Sequence, residues 1–168
     1  MFDFTSIEEM IDGGCFDSWL GSGAGRDAYR INDKLVVKVN REDSARQSLH
    51  EIVFFNEHFN QYSHLMAEIH GWANYKGHVL IFMEYIDMLG ECIDDYLDKN
   101  YSEEEADKKM LEIEAFEDET RLWDSSENAA NWGIRPSTGE LVVVDYGMSE
   151  YQPYADDEDA GCYDFDCS

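Results

Sequence analysis

Along this chain the pattern of hydrophobic and polar positions changes period several times, and each change marks an element. Strand-like Ala28 to Ile31 and apolar Leu35 to Val39 flank Asn32-Asp33, the signature of two strands joined by a turn. Ser44 stands where a helix cap belongs. Leu49, Ile52, Val53, Phe55 and Phe59 then place apolar side chains on one face of a helix running to about His58. Two further strands are predicted at Leu65 to Trp72 and Val79 to Tyr85, joined through turn residues Asn74 to Gly77. A short helix from Phe4 to Trp19, with Thr5 as cap ahead of Glu8, is expected upstream. The expectation for the first half is a small lobe of one helix and a five-stranded sheet, four strands of which are those named.

The texture changes near Met88. Leu89 to Leu97 reads as helix, and Ser102-Glu103-Glu104-Glu105 has the form of a capping box opening a second helix to about Trp123. Ala106, Met110, Ile113 and Phe116 fall near helical spacing and are expected inside. Asn131 to Ile134 and Leu141 to Val144 then predict a hairpin turning at Pro136 to Gly139. Beyond Tyr151, the stretch Tyr154 to Gly161 has no apolar period and no base, which predicts a disordered or surface-draped tail. The expected class is α+β, divided into an N-terminal lobe (1–86), a reduced, mainly helical second lobe with a β-hairpin (87–152), and an acidic tail (153–168).

Composition narrows the function classes. The 168 residues fit one domain or two small lobes, and a hydrophobic fraction of 43% argues against wholesale disorder. Twelve basic residues against 38 acidic ones give a net charge of −26, which argues against direct nucleic-acid binding because phosphate contacts demand clustered Lys and Arg. Dense carboxylates serve solubility, attraction of a basic protein partner, or imitation of nucleic-acid charge, and the sequence does not separate these. No run is apolar enough to cross a bilayer, and Met1-Phe2-Asp3-Phe4 lacks a basic leader, so a cytoplasmic protein without membrane contact is expected. Cys15, Cys92, Cys162 and Cys167 form no CxxC pair, which favours reduced thiols, and the five histidines are scattered.

Candidate chemistry gathers at two places. Asn131, at the start of the hairpin, and Asp145, just past its end, offer two hard oxygen donors folded back beside each other, a combination that suits Mg²⁺ with substrate phosphates. Gly147 allows a sharp backbone turn after the acid. The loop Gly21-Ser22-Gly23-Ala24-Gly25-Arg26 precedes a strand with a single base among valines, Val36-Val37-Lys38-Val39. Backbone amides of such a loop can lie over phosphates while the ammonium is aimed at them. Alternation turns Lys38 to the same face as Val36. Glu51 falls on or beside the apolar face of the helix, where a carboxylate wants a cation, and Lys38 is an economical partner. Glu57 competes, but its place near the helix end predicts exposure. Six of the twelve bases, Arg26, Arg30, Lys34, Lys38, Arg41 and Arg46, lie in this one stretch, so local charge favours an anion there despite the net charge.

In their order, Gly21-x-Gly23, Val36-Val37-Lys38-Val39, Glu51, Leu80 to Ile86, Asn131 and Asp145-Tyr146-Gly147 resemble the protein-kinase-like fold over about Leu20 to Gly147. In texture the chain looks most like the short kinase-like proteins of bacteriophages and mobile elements. The resemblance implies that Gly21, Ser22 and Gly23 cover ATP phosphates, that Lys38 contacts them while paired with Glu51, and that Asn131 and Asp145 hold Mg²⁺. It further implies that Glu84 to Ile86 meet adenine through backbone groups. Tyr146 stands where the family often has Phe.

Three departures accompany the likeness. The third glycine is displaced, leaving Gly25-Arg26, so that Arg26 could make a phosphate contact of its own. The family's catalytic Asp, five residues before the metal-binding Asn, is replaced by Ser126; Asp124 is the nearest substitute, with Glu127 behind it. Only about 20 residues follow Gly147, too few for the platform on which ordinary protein kinases present peptides. Two function classes result: an ATP·Mg²⁺-dependent phosphotransferase acting on a protein or small-molecule hydroxyl, with Asp124 as base, and a catalytically inactive pseudokinase that acts as an acidic binding protein or inhibitor of a basic host protein.

Overall fold

The computed structural model of the chain describes residues 18–23, 25–41, 45–75, 77–122, 125–126 and 128–147. The expected helix from Phe4, the Ser44 cap, Asp124, Glu127 and the acidic tail lie outside these residues. Among them, five strands form one antiparallel sheet in the order β1-β2-β3-β5-β4. They are β1 (Ser18–Ser22), β2 (Arg26–Arg30), β3 (Leu35–Asn40), β4 (Ile69–Tyr75) and β5 (His78–Glu84). Helix α1 (Ala45–Tyr62) crosses from β3 to β4 and packs mainly on β5. The class is α+β, as expected.

Alternation along β3 and β5 divides the sheet into two faces. Leu35, Val37, Leu80 and Phe82 form a small buried cluster on one face. Val79, Ile81 and Met83 turn to the other, where they join Ile52 and Phe54 of α1. Lys38 shares the parity of Val36 and faces α1.

After a two-residue strand β6 (Asp87–Met88) come α2 (Ile93–Asn100) and α3 (Glu103–Thr120). Glu105 accepts hydrogen bonds from the Ser102 backbone N–H at 3.2 Å and hydroxyl at 2.7 Å, so the capping residues act as predicted. Ala106, Ile113 and Phe116 are buried and Met110 packs against them. A single 3₁₀ turn (Ala129–Asn131) leads into β7 (Trp132–Ile134) and β8 (Leu141–Val143), the expected hairpin. One buried cluster contains residues from both sides of Ile86, including Ile81, Phe116, Trp132 and Tyr146, so the two segments share a core. Transfer of a side chain such as Phe116 from water is worth about 1.5–3 kcal/mol. The polar atoms of the two largest residues are satisfied: the Trp132 indole donates to Ser125 O at 2.7 Å and the Tyr146 hydroxyl to Ala67 O at 2.8 Å. No helix among the described residues is long and apolar enough to cross a membrane.

Several boundaries differ from the local pattern. Trp19 belongs to β1, opposite Tyr29, rather than to a helix, because pairing with β2 completes the antiparallel sheet and suits an aromatic side chain. The apolar run Leu65-Met66-Ala67 leaves the sheet: Ala67 N–H donates to Val143 O at 2.9 Å and Val143 N–H to Leu65 O at 2.8 Å, tying the run to the hairpin. The strand therefore starts at Ile69. The hairpin gains a third strand, since Asp87 pairs with Ile134 and Met88 with Gly133, and α2 starts only at Ile93. A Cβ at Gly133 would lie 2.5 Å from Asp87 O, so this approach requires glycine. Helix α3 stops at Thr120 as Arg121 turns left-handed at φ 55°, ahead of the predicted Trp123.

Candidate functional site

Strand β3 and helix α1 bring the predicted base and acid together. Lys38 Nζ donates to Glu51 Oε1 at 2.7 Å, and the Glu51 side chain is fully buried. A carboxylate in such a place is stable only with cationic partners. It has two. Arg26, the first residue of β2, is also buried and donates through Nη1 to Glu51 Oε2. Glu57, the competing acid, is exposed.

The second Arg26 arm crosses to the hairpin. Its Nη2 donates to Asp145 Oδ1 at 2.5 Å, while Lys38 Nζ reaches Val144 O, also at 2.5 Å. Two cations and two carboxylates from β2, β3, α1 and the segment after β8 thus form one closed cluster. Glu51 lies wholly inside it, whereas the Asp145 side chain remains 36% exposed at its edge. Burial alone would raise the Asp145 carboxyl, but Lys38 and Arg26 outweigh it and hold the group below its ordinary value. Burial would likewise lower the Arg26 guanidinium, and the two acids reverse the direction. Gly147 completes the packing: a Cβ there would lie 3.0 Å from the backbone oxygen of Gln47 and 3.2 Å from Arg26 Nη2.

Asn131 comes to the same end of the hairpin. The Asn128 side chain accepts from Ala130 N–H at 3.1 Å and caps the 3₁₀ turn, and Val144 N–H donates to Asn131 O at 2.7 Å. Asn131 therefore stands across the ladder from the residue beside Asp145. Asn131 is half-buried. An amide oxygen and a carboxylate at one hairpin end are chemically fit for a hard divalent cation, provided Arg26 leaves Asp145. Among the described residues no cluster of three or more His, Cys, Asp or Glu side chains is placed to hold a metal.

The glycine loop is the β1–β2 turn, closed by Gly23 N–H donating to Arg26 O at 2.9 Å. Ser22 is exposed, and its hydroxyl donates to Asp27 at 2.7 Å. Cβ atoms at Gly21 and Gly23 would meet nothing closer than 3.9 Å, so the protein's own packing does not require glycine at either position. Both leave room above the backbone.

Glu84 lies at the end of β5. Its carboxylate is gripped by Arg135, at 3.0 and 3.1 Å from Nε and 2.8 Å from Nη2. The Glu84 N–H donates to Glu68 O at 2.9 Å and the Tyr85 N–H to Lys34 O at 2.8 Å, so these two backbone donors are already used within the protein. Ile86 is buried, and its side chain would be met by a Cβ at Gly133. The Arg135 network has no counterpart in the sequence expectations. Arg135 and Glu140 bracket the predicted turn and could have been paired from it, whereas Glu84 is distant in sequence.

Ser126, five residues before Asn131, is held rather than poised. Its backbone N–H and hydroxyl donate to the two Glu117 oxygens at 2.6 and 2.8 Å, and Ser125 donates to the same carboxylate. No protein-family model matches the chain, and a comparison with curated proteins finds no match.

Proposed function

We propose that the chain is a kinase-like nucleotide-binding protein that takes ATP with Mg²⁺. The observation that carries this is the joining of Lys38, Glu51 and Asp145 through Arg26 beside a loop whose Gly21 and Gly23 the protein's own packing does not need. Lys38 and Arg26 are balanced by Glu51 and Asp145 in this arrangement, and both are cations of the kind that bond polyphosphate oxygens. Asn131 and Asp145 would hold the Mg²⁺, which supplies charge neutralisation at the phosphate oxygens. Lys38 positions the phosphates while Glu51 orients its ammonium. The adenine would lie against the β5 end near Glu84 and Ile86.

Thermal shift with ATP, with and without Mg²⁺, tests this reading. Ligand at a hundred times its dissociation constant adds about 2.7 kcal/mol, or a Tm rise of about 5–10 °C for a chain of this size. The rise is expected to depend on the metal and to vanish in both Lys38→Ala and Asp145→Ala. No shift in the wild-type protein sinks the proposal.

A second reading, a non-catalytic binding protein of the pseudokinase kind, draws on Ser126, the residue at the expected base position, whose hydroxyl is held by the Glu117 carboxylate. Its acidic helices α2 and α3 would then meet a basic protein partner. Transfer of labelled γ-phosphate separates the two. Transfer lost in Asp124→Asn with ATP binding intact assigns an enzyme, and binding without transfer in the wild-type protein assigns the pseudokinase.

A further inference from the structure

The four charges of the cluster are not equivalent, and their asymmetry has a consequence for the order of binding. Glu51 is fully buried and has two cations on separate oxygens, Lys38 on Oε1 and Arg26 on Oε2. Loss of Arg26 from the cluster still leaves Glu51 paired. Asp145 is the half-exposed member, and among the described residues its only side-chain hydrogen bond from a cation comes from Arg26. Once released, this carboxylate can be taken up by water or by a metal. The Arg26 end of the cluster is therefore the exchangeable one.

Resting on the nucleotide reading, we infer that Arg26 competes with a divalent cation for Asp145, and that a phosphate group, by accepting the guanidinium, releases the carboxylate to the metal. A guanidinium suits both partners because its planar fork bonds carboxylate and phosphate oxygens alike. Arg26 is also attached to the glycine turn, as its carbonyl accepts the Gly23 N–H. Gly147 keeps the space in which Nη2 now sits. Metal and nucleotide would then bind with positive coupling: each removes the competitor that weakens the other, and by linkage the coupling is the same from either side.

Full-length protein and Mn²⁺ alone, with free Mn²⁺ followed by electron paramagnetic resonance, provide the first arm. The exposed carboxylates bind Mn²⁺ weakly, so the quantity read is the part lost in Asp145→Asn. Arg26→Gln is expected to tighten this Asp145-dependent binding by about tenfold or more, and Arg26→Gln with Asp145→Asn to abolish the gain. The second arm repeats the titration with ATP present. ATP is expected to tighten Mn²⁺ binding to the wild-type protein by a larger factor than to Arg26→Gln.

Unchanged Mn²⁺ affinity in folded Arg26→Gln overturns the competition, even if wild-type protein binds ATP and the nucleotide reading stands. A gain in Mn²⁺ affinity without ATP binding to either protein supports competition at Asp145 and sinks the nucleotide reading instead. Should Arg26→Gln not fold, Arg26→Lys keeps a cation for Glu51 but loses the fork. It is expected to tighten Mn²⁺ binding by about threefold, and an unchanged value overturns the inference.

Discussion

Two arginine-centred clusters brace this molecule, and they are built differently. Arg135 donates to Glu84 and Glu140 and to the backbone oxygens of Ser63 and Met66, the last two at 3.0 and 2.8 Å. Its donors are shared among β5, the segment after α1 and the hairpin turn, and no single partner can leave without exposing others. Among the described residues Arg26 donates to two carboxylates, one deeply buried and backed by Lys38, the other at the solvent edge. A saturated network is a staple, whereas a cation shared between a buried and an exposed acid can exchange one partner. The contrast separates a structural charge cluster from one suited to binding.

The largest effect is expected where the binding cluster has its buried anchor. Glu51→Ala leaves Lys38 and Arg26 without their common acid and should cost about 3–5 kcal/mol in urea unfolding. A loss under about 1 kcal/mol would show that the cluster does not act as a buried unit. At the staple, Arg135→Met strips the cationic partner from Glu84, leaving it the Glu68 N–H, removes a donor from two carbonyls, and is expected to cost about 2–3 kcal/mol. Its effect on the ATP dissociation constant should stay within about twofold, and a large loss of affinity would erase the distinction between the clusters.

Gly147→Ala places a methyl group against Gln47 O and Arg26, so a cost of about 1–3 kcal/mol is expected, read from the thermal midpoint. Acid titration probes Asp145 itself. Its folded pKa lies below the ordinary 3.8, so its contribution is complete above about pH 4 and is lost as pH falls through the depressed value. Stability curves of wild type and Asp145→Asn should therefore differ at neutral pH and converge in acid; parallel curves down to pH 2 would contradict the pairing.

The smallest effect is expected from salt. Raising ionic strength from about 0.1 to 1 M shortens the Debye length from about 10 to 3 Å, which screens the exposed acids but scarcely touches either cluster. Relief of about 1 kcal/mol of repulsion raises Tm by about 2–4 °C. The increment should be equal in wild type and Arg135→Met.

Lys38 and Glu51 could be paired from local pattern alone, because a base among strand valines and an acid beside an apolar helix face each have few ways of being satisfied. The Ser102 box, the inward face of α3 and the hairpin at Pro136 to Gly139 were legible for the same reason: each rule acts within a few residues. Arg26 was visible only as the residue after a displaced glycine. Its bond to Asp145 spans 119 positions, and nothing near either residue announces it. Likewise, the Leu65-Met66-Ala67 run carries the apolar character of a sheet strand but is claimed by Val143.

Most strand and helix segments and the chemistry of Asn131 and Asp145 thus follow from short-range periodicity, capping and donor type, whereas the α1 face was legible only in part, since Val53 is exposed and Phe54 buried. Which cation meets which acid was decided only when β2, β3, α1 and the hairpin packed together. Buried charges must find partners in three dimensions, and when two bases and two acids are available, burial and reach select the pairing. That selection leaves Glu51 doubly held inside and Asp145 at the edge, sharing its cation.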